Sequence, residues 1–366
     1  MTRRRRRGIV IHPSDEMYGA DRVLLEVVRT APDDLDLEVW LPTDIDYPER
    51  QLSRALAERG IRVRRLALPI MRRAYLTPRR LPGLALRTLV TAGRIIAARP
   101  ALVYLNTAAA ALAAPASRLS GARVVLHLHE HIDARSRAVV PFLRFAHRII
   151  AVSAAVAEAL PTTFRGRTRV VHNGFEVAAP VLLPPFDDGI RLVIASRWNA
   201  WKGHRVLLEA WDRTRRDDLH LTILGDAPLS GEAVDVREIV ARSTRREQLD
   251  VIGRTDDVRG HVDRAHVVVV PSILPDPLPT IAIEALGAGR AVLASDDGGL
   301  PEIVGDQRFL VDAGDVDQWT AALESLDPET IREAADAARP RFERLFARIA
   351  FDRLIHDELW SEVPVR

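Results

Sequence analysis

The chain has 366 residues, 47% apolar and 28% charged, which suits a soluble globular protein of about two domains. Cysteine is absent, which excludes disulfides and thiol chemistry and points to a reducing compartment. No uninterrupted apolar run approaches the roughly 18–20 residues of a membrane span. The basic start MTRRRRRGIV leads directly into a strand-like run and does not read as a signal peptide, so a cytoplasmic protein is expected.

The net charge of +2 hides an asymmetry. Residues 1–175 carry 29 arginines against 15 acidic residues, whereas the remainder carries 23 basic against 35 acidic ones. Between Glu58 and Glu130 there are 13 arginines and no carboxylate. A field of one sign attracts phosphates or anionic lipid head groups. Aromatic residues are only 5% of the chain, and nucleic-acid binding, which relies on aromatic stacking, is not expected.

In chain order, RGIVIH, DLEVWLP, IRVRRLAL, ALVYLN, ARVVLHLHE, HRIIAVS and RVVHNG read as strands, with Ala- and Leu-rich helical runs among them. The segment IMRRAYLTPRRLPGLALRTLV interleaves arginines with apolar residues in the manner of an interfacial segment. FEVAAPVLLPPFDDG is Pro-rich and without periodicity, which predicts a linker over 176–189. From IRLVIASR the rhythm restarts with KGHRVLLEAW, LHLTILGD, VREIVARS, LDVIGR, HVVVVPS, PTIAIEALGAG and AVLASD. Nearly continuous apolar strands separated by helices predict parallel sheets covered on both faces, hence two doubly wound α/β domains. The tail ETIREAADAARPRFERLFARIAFDRLIHDELW is helical, with a break expected at Pro340.

In such sheets ligands bind beyond the carboxyl ends of the strands, beside helix N-termini. The default site is the cleft between the two domains, and the residues that follow strands are the ones to inspect. SRWNAWKGH follows a strand and opens a helix at His204. It contains Lys202, the sole lysine among 52 basic side chains. An ammonium is a compact point charge that fits between phosphate oxygens, where a guanidinium needs a planar fork. Arg197 and Lys202 would add two charges to a helix N-terminus already suited to an anion. Downstream, Asp276 precedes a helix starting near Thr280, and Glu284 lies in its early turns. Both carboxylates could accept from vicinal hydroxyls, although the helix dipole also explains Glu284. Asp276, Glu284 and a diphosphate site together suit a nucleotide sugar.

These motifs resemble family 4 glycosyltransferases of the GT-B fold, and the resemblance covers nearly the whole chain. The matching residues are Arg197 and Lys202, Gly225 and Asp226 in ILGDAP, Gly253 and Arg254 in VIGRTDDV, Asp276 to Glu284 with Leu278, Pro279 and Thr280, and GGLPEIV. The resemblance implies that Arg197 and Lys202 bind the donor diphosphate, that Asp276 holds sugar hydroxyls and that Glu284 holds the ribose. The family pattern is E-x7-E and this chain has D-x7-E, one carbon shorter at Asp276. In the first half, PSDEMYGADRVLLEVV resembles the glycine-rich loop and helix, with Gly19 present and Tyr18 in place of the other glycine. VVLHLHEH places the active-site histidine at His129, followed by Glu130, and VVHNG places Asn173 and Gly174 near the crossover. His127, His129 and His131 share one face of an extended strand, but no second cluster of ligands supports a metal there.

The expectation is thus two Rossmann-like domains facing a central cleft. An acceptor-side domain spans 1–175, with Tyr18 and Glu130 as acceptor-side candidates. A donor-side domain spans 190–340, and residues 341–366 form a helix crossing back to the first. The resemblance implies a retaining transfer of a hexose-type sugar from a nucleoside diphosphate to an acceptor hydroxyl, with His129, Arg197, Lys202 and Asp276 at the reacting centre. It implies no metal or other cofactor and no obvious protein nucleophile. A role in polysaccharide or glycolipid assembly is expected, with a lipid-linked or membrane-borne acceptor, at the inner face of a membrane. A sugar-nucleotide-binding protein without turnover, and a GT-B relative acting as phosphorylase or epimerase, are the alternatives.

Overall fold

The structure, a computed structural model, describes residues 6–72, 75, 77–133, 136–228 and 232–363. It divides into two units, Met1–Gly174 with Arg348–Arg366, and Phe175–Ala347.

The first unit is a seven-stranded parallel sheet of β1 (Arg6–Ile11), β2 (Leu35–Pro42), β3 (Arg62–Leu66), β4 (Leu102–Asn106), β5 (Arg123–Leu128), β6 (Arg148–Ala151) and β7 (Thr168–Val170). The strand order is β3-β2-β1-β4-β5-β6-β7, so the winding reverses between β1 and β4. Ile9, Val10, Ile11 and all of Leu102–Asn106 are buried, as expected for central strands covered by helices on both faces. The chain end docks on this unit. Trp360 Nε1 donates to Thr30 Oγ1 at 2.9 Å, Arg29 reaches Asp352 at 2.5 Å, and Arg148 pairs with Glu358 at 2.8 Å.

The second unit repeats the plan with β8 (Ile190–Ala195), β9 (Leu219–Leu224), β10 (Leu249–Gly253), β11 (Val267–Val270), β12 (Ala291–Ser295) and β13 (Leu310–Val311). All its pairs are parallel, in the order β10-β9-β8-β11-β12-β13, and the reversal lies between β8 and β11. Trp211 and Trp319, both fully buried, anchor the core on one side of the sheet.

Three expectations are corrected. The helix Pro328–Leu345 runs through Pro340 without a break, because its buried stripe of Ile331, Ala335, Ala338 and Phe342 continues on both sides of the proline. The return to the first unit begins at Arg348 instead of 341. Residues 176–189 belong to the second unit and are strapped onto it. Arg259 donates to the carbonyls of Ala178 and Ala179, Arg290 to those of Val181 and Leu182, and Arg339 to that of Ala178. Phe186 stacks on His266 at 4.0 Å. The helix Leu81–Ala98 is long and apolar enough by composition to cross a membrane, with a mean hydropathy of 1.3. It also carries Arg87 and Arg94, and it lays Leu84, Thr91 and Ile95 against the first unit.

The acid-free stretch is also less one-signed in space than in sequence. Carboxylates from elsewhere meet its arginines: Asp36 meets Arg62, Glu38 meets Arg64 and Asp44 meets Arg72. Arg72 also donates to Pro13 O at 2.7 Å, so it is committed to the fold. Arg73 lies outside the described residues. Arg79, Arg94 and Arg99 are exposed.

Candidate active site

Each unit gathers polar side chains where its strand order reverses, which is where a doubly wound sheet opens a crevice. In the second unit these are the turn after β8 and the loop after β11. Lys202 ends a short helical turn, Ala200–Lys202, and Gly203 then opens the helix His204–Arg213. Lys202 Nζ donates to Asp276 Oδ2 at 2.5 Å, and Ser272 Oγ donates to the same oxygen at 3.1 Å. The ammonium also lies 4.1 Å from the Trp201 ring centroid. Asp276 is 4% exposed, so this carboxylate sits in a pocket built for a cation or for hydroxyl donors.

Glycines allow the strand-end loops to approach this closely. Gly203 has φ +78°, and a Cβ there would lie 1.7 Å from Pro271 O. Gly225 has φ +124°, and its Cβ would lie 1.9 Å from Ser196 O. Neither position admits a side chain without moving backbone. Gly298 and Gly299 press on the Asp276 loop from β12, with Gly299 N–H donating to Asp276 O at 2.8 Å. The expected glycine motifs are thus spacers that bring four strand ends together.

The helix Thr280–Gly287 starts where expected, behind buried Leu278 and Pro279, and Glu284 is half-buried in its second turn. Arg197 is half-buried at the start of the Lys202 turn. Asp226 and Arg254 are exposed, at the ends of β9 and β10. His204 is held near pKa 4 by burial and by the Lys202 charge, so it is neutral at pH 7.

The first unit holds a buried polar cluster that the sequence reading found only in part. His129 lies just past β5, and its Nε2 is 2.7 Å from Asn106 Oδ1 at the end of β4. Asn106 Nδ2 is 2.8 Å from His12 Nδ1, which follows β1, and His12 Nε2 is 2.8 Å from Asp21 Oδ1. Tyr104 Oη bridges Asn106 Oδ1 at 3.0 Å and His127 Nδ1 at 2.7 Å. Burial lowers the His127 pKa to about 3. It also holds His129 well below the ordinary value, with His127 and His12 adding to the effect.

Glu130 accepts from Ala108 N–H at 2.8 Å and from His129 N–H at 3.0 Å. Burial raises its pKa to about 7 against the opposing pull of these backbone donors. The intervening Thr107 holds φ +108°, a strained conformation for a β-branched residue. Tyr18 caps the helix Gly19–Arg29, its N–H donating to Asp21 Oδ2 at 3.0 Å. Among the described residues no three His, Asp or Glu side chains gather as a metal site. His12, Asp21, Tyr104 and Asn106 were missed, although IVIH and VYLN each end an apolar run on a polar residue, which was signal enough to inspect them.

The fold has close counterparts. The crystal structure of Anabaena HepE in complex with UDP-glucose superposes with a TM-score of 0.79 at 22% identity, covering 97% of this chain and 100% of that one. Residues 19–179 match the family model "Glycosyltransferase Family 4", and residues 189–327 match "Glycosyl transferases group 1". The chain has the GT-B fold, and each of its halves matches a glycosyltransferase family model. Among curated relatives of this GT-B chain, the lipopolysaccharide 1,2-N-acetylglucosaminetransferase of Salmonella typhimurium is 29% identical, over 52% of this chain and 53% of its own. The alpha-maltose-1-phosphate synthase of Mycolicibacterium smegmatis is 30% identical, over 54% of this chain and 58% of its own. The chain therefore spans little more than half the length of these relatives.

Proposed function

We propose that this protein is a retaining glycosyltransferase that moves a hexose-type sugar from a nucleoside diphosphate to an acceptor hydroxyl, with the donor on the second unit. The observation that carries the reading is the Lys202–Asp276 pair at the strand reversal of that unit. A sugar diphosphate needs a cation for its leaving group and a carboxylate for its hydroxyls, and here the two lie side by side. Lys202, Arg197 and the helix N-termini at His204 and Thr280 would take up negative charge as it grows on the leaving diphosphate. Lys202 is satisfied by Asp276. Donor binding would exchange that contact for phosphate on one side and sugar hydroxyls on the other. A transfer of this kind needs no protein nucleophile, and the residues gathered here supply charge and hydrogen bonds. The structure of HepE with UDP-glucose makes uridine diphosphate sugars the first donors to try.

The deciding experiment is release of nucleoside diphosphate from a panel of sugar nucleotides with candidate acceptors, preceded by thermal-shift selection of the donor. Donor binding without release under any acceptor would leave a binding protein, and phosphate-dependent or acceptor-free turnover would indicate a phosphorylase or an epimerase. Calorimetry separates the two carboxylates. Asp276→Ala should weaken sugar-nucleotide binding at least about tenfold, the loss of one charged hydrogen bond. It should leave the bare diphosphate unweakened, because Lys202 is freed. Glu284→Ala should weaken both. Equal losses for Asp276→Ala would remove it from the sugar site.

The acceptor in this reading is membrane-borne, and the helix Leu81–Ala98 is the docking element. Opposite its buried face it exposes Leu86, Leu89, Val90 and Ile96, with Leu89 at 69% exposure. Arg87 and Arg94 flank that apolar stripe on one side, and the exposed Arg79 precedes it. Apolar side chains below and guanidinium groups at the head-group level describe an interfacial helix. Sedimentation with anionic vesicles should show binding at low salt that weakens sharply at high salt. Leu86→Ser with Leu89→Ser should abolish it, and Arg79, Arg87 and Arg94 changed together to Gln should weaken it by about a hundredfold, at roughly 1 kcal/mol per charge. Indifference to anionic vesicles at low salt would leave a soluble acceptor.

A further inference from the structure

We propose that Asp21, His12 and Asn106 form a positioning relay that holds His129 neutral with its proton on Nε2, so that Nδ1 is offered to a ligand as a hydrogen-bond acceptor. The four residues come from different places in the chain and meet where the first sheet reverses, between β1 and β4.

The polarity of the relay follows from what each group can do. Asp21 is 3% exposed. Burial pushes its pKa up, but hydrogen bonds from His12, Ser14 and the Tyr18 N–H outweigh that and hold the carboxyl ionised, below the usual range. A carboxylate only accepts, so His12 must carry its hydrogen on Nε2, which faces Asp21 at 2.8 Å. With that hydrogen in place, a neutral His12 has only a lone pair on Nδ1. The Asn106 amide nitrogen, 2.8 Å away, is the matching donor. This turns Asn106 Oδ1 toward Tyr104 and His129, where it can accept from both, at 3.0 and 2.7 Å. Because Oδ1 cannot donate, the hydrogen in its contact with His129 belongs to Nε2. Tyr104 spends its one hydrogen on Asn106, so His127 donates from Nδ1, and the circuit of hydrogen bonds closes.

The groups facing His129 agree with this arrangement. From β5 there is the uncharged His127 ring, 4.1 Å away, and the Glu130 carboxyl on the His129 backbone N–H. From β4 there are Asn106 and Tyr104, and from the β1 loop His12. Among the described residues no carboxylate touches the His129 ring, so none of them stabilises an imidazolium. Nδ1 has no partner among the described residues. It would thus accept from a hydroxyl and would neither deliver a proton nor act as a cation. The relay rests on the proposed transfer only for the identity of that hydroxyl.

The test uses the full chain labelled with ¹⁵N-histidine. Long-range ¹H–¹⁵N spectra should show His129 as the Nε2–H tautomer at pH 7 and still neutral at pH 5.5, below the ordinary histidine value of about 6.5. The resonance is assigned by its loss in His129→Gln. Asn106→Asp, nearly isosteric, puts a carboxylate against Nε2. It should raise the His129 pKa by at least about one unit. In an active preparation it should also add an acid limb to the kcat profile while donor KM changes little, a pattern that simple loss of packing would not give. An Nδ1–H tautomer or an imidazolium in the wild type would overturn the relay, as would an unchanged His129 titration in a folded Asn106→Asp. If that variant fails to fold, the wild-type tautomer alone decides. Because the spectra need no turnover, a confirmed tautomer in a protein without transferase activity would keep the relay and discard the proposed function.

Discussion

Lys202→Ala should lower kcat by about 10²- to 10³-fold with less effect on donor KM, the size seen when one preorganised charge contact to a transition state is removed. The ammonium is placed by backbone on both sides. Its own turn closes with the Lys202 N–H on Asn199 O at 3.0 Å, and the neighbouring Trp201 O accepts from Ile273 N–H at 2.8 Å. A charge fixed before the reaction needs no reorganisation as the leaving diphosphate becomes more negative, and this makes it effective. Lys202→Met keeps an apolar stem over the Trp201 ring and loses the charge, so it should fall as far as alanine. Lys202→Arg should also be impaired, because a planar fork replaces a point charge beside Asp276. Steady-state kinetics on the four proteins decides the matter. Full activity in the arginine variant would mean that the lone lysine is incidental.

Gly203→Ala should cost about 10²-fold in kcat and lower the melting temperature of the second unit by about 4 °C or more. Two separate penalties act at this residue. A φ of +78° costs an L-residue about 1–2 kcal/mol. The added Cβ would also lie 1.7 Å from Pro271 O, at the start of the loop that carries Ser272 and Asp276. Either the Lys202 turn or that loop must shift, and both hold the proposed donor site. Gly60 is the control, since it has φ +72° and nothing within 4 Å of its Cβ position. Gly60→Ala should show the conformational penalty alone, with activity unchanged. Calorimetry and kinetics on the pair separate strain from collision. Equal behaviour of the two variants would remove the interlock argument.

The second unit was legible because its site is written locally. Lys202 stands out by composition, and the glycines at 203, 225, 253, 298 and 299 sit at strand ends where a reader of sequence already looks. The apolar strand runs announced both parallel sheets for the same reason. The first unit was legible only at Tyr18, His127, His129 and Glu130. Its relay joins residues 12, 21, 106 and 129, and no spacing rule connects positions that meet only after the sheet has ordered its strands. Pro340 misled because a proline weakens a helix locally, while the buried stripe that carries Pro328–Leu345 through it is tertiary. The acid-free stretch misled in the same way, since Asp36, Glu38 and Asp44 reach its arginines from a neighbouring strand and loop.

The strap over residues 175–189 has a practical bearing on how this chain can be taken apart. Its composition invites a cut near residue 189, at the start of the sheet of the second unit. Such a cut would strip backbone acceptors from the guanidinium groups of Arg191, Arg259, Arg339 and Arg290, the last in a residue that is 1% exposed. It would also lay bare the His266 ring against which Phe186 stacks. A recombinant fragment of the second unit should therefore begin at Phe175 and end at Ala347, where those two residues bridge each other as neighbouring backbones. Toward a protease, likewise, this Pro-rich segment is held down at the Val181, Leu182 and Pro184 carbonyls even where the Leu182 side chain is 93% exposed.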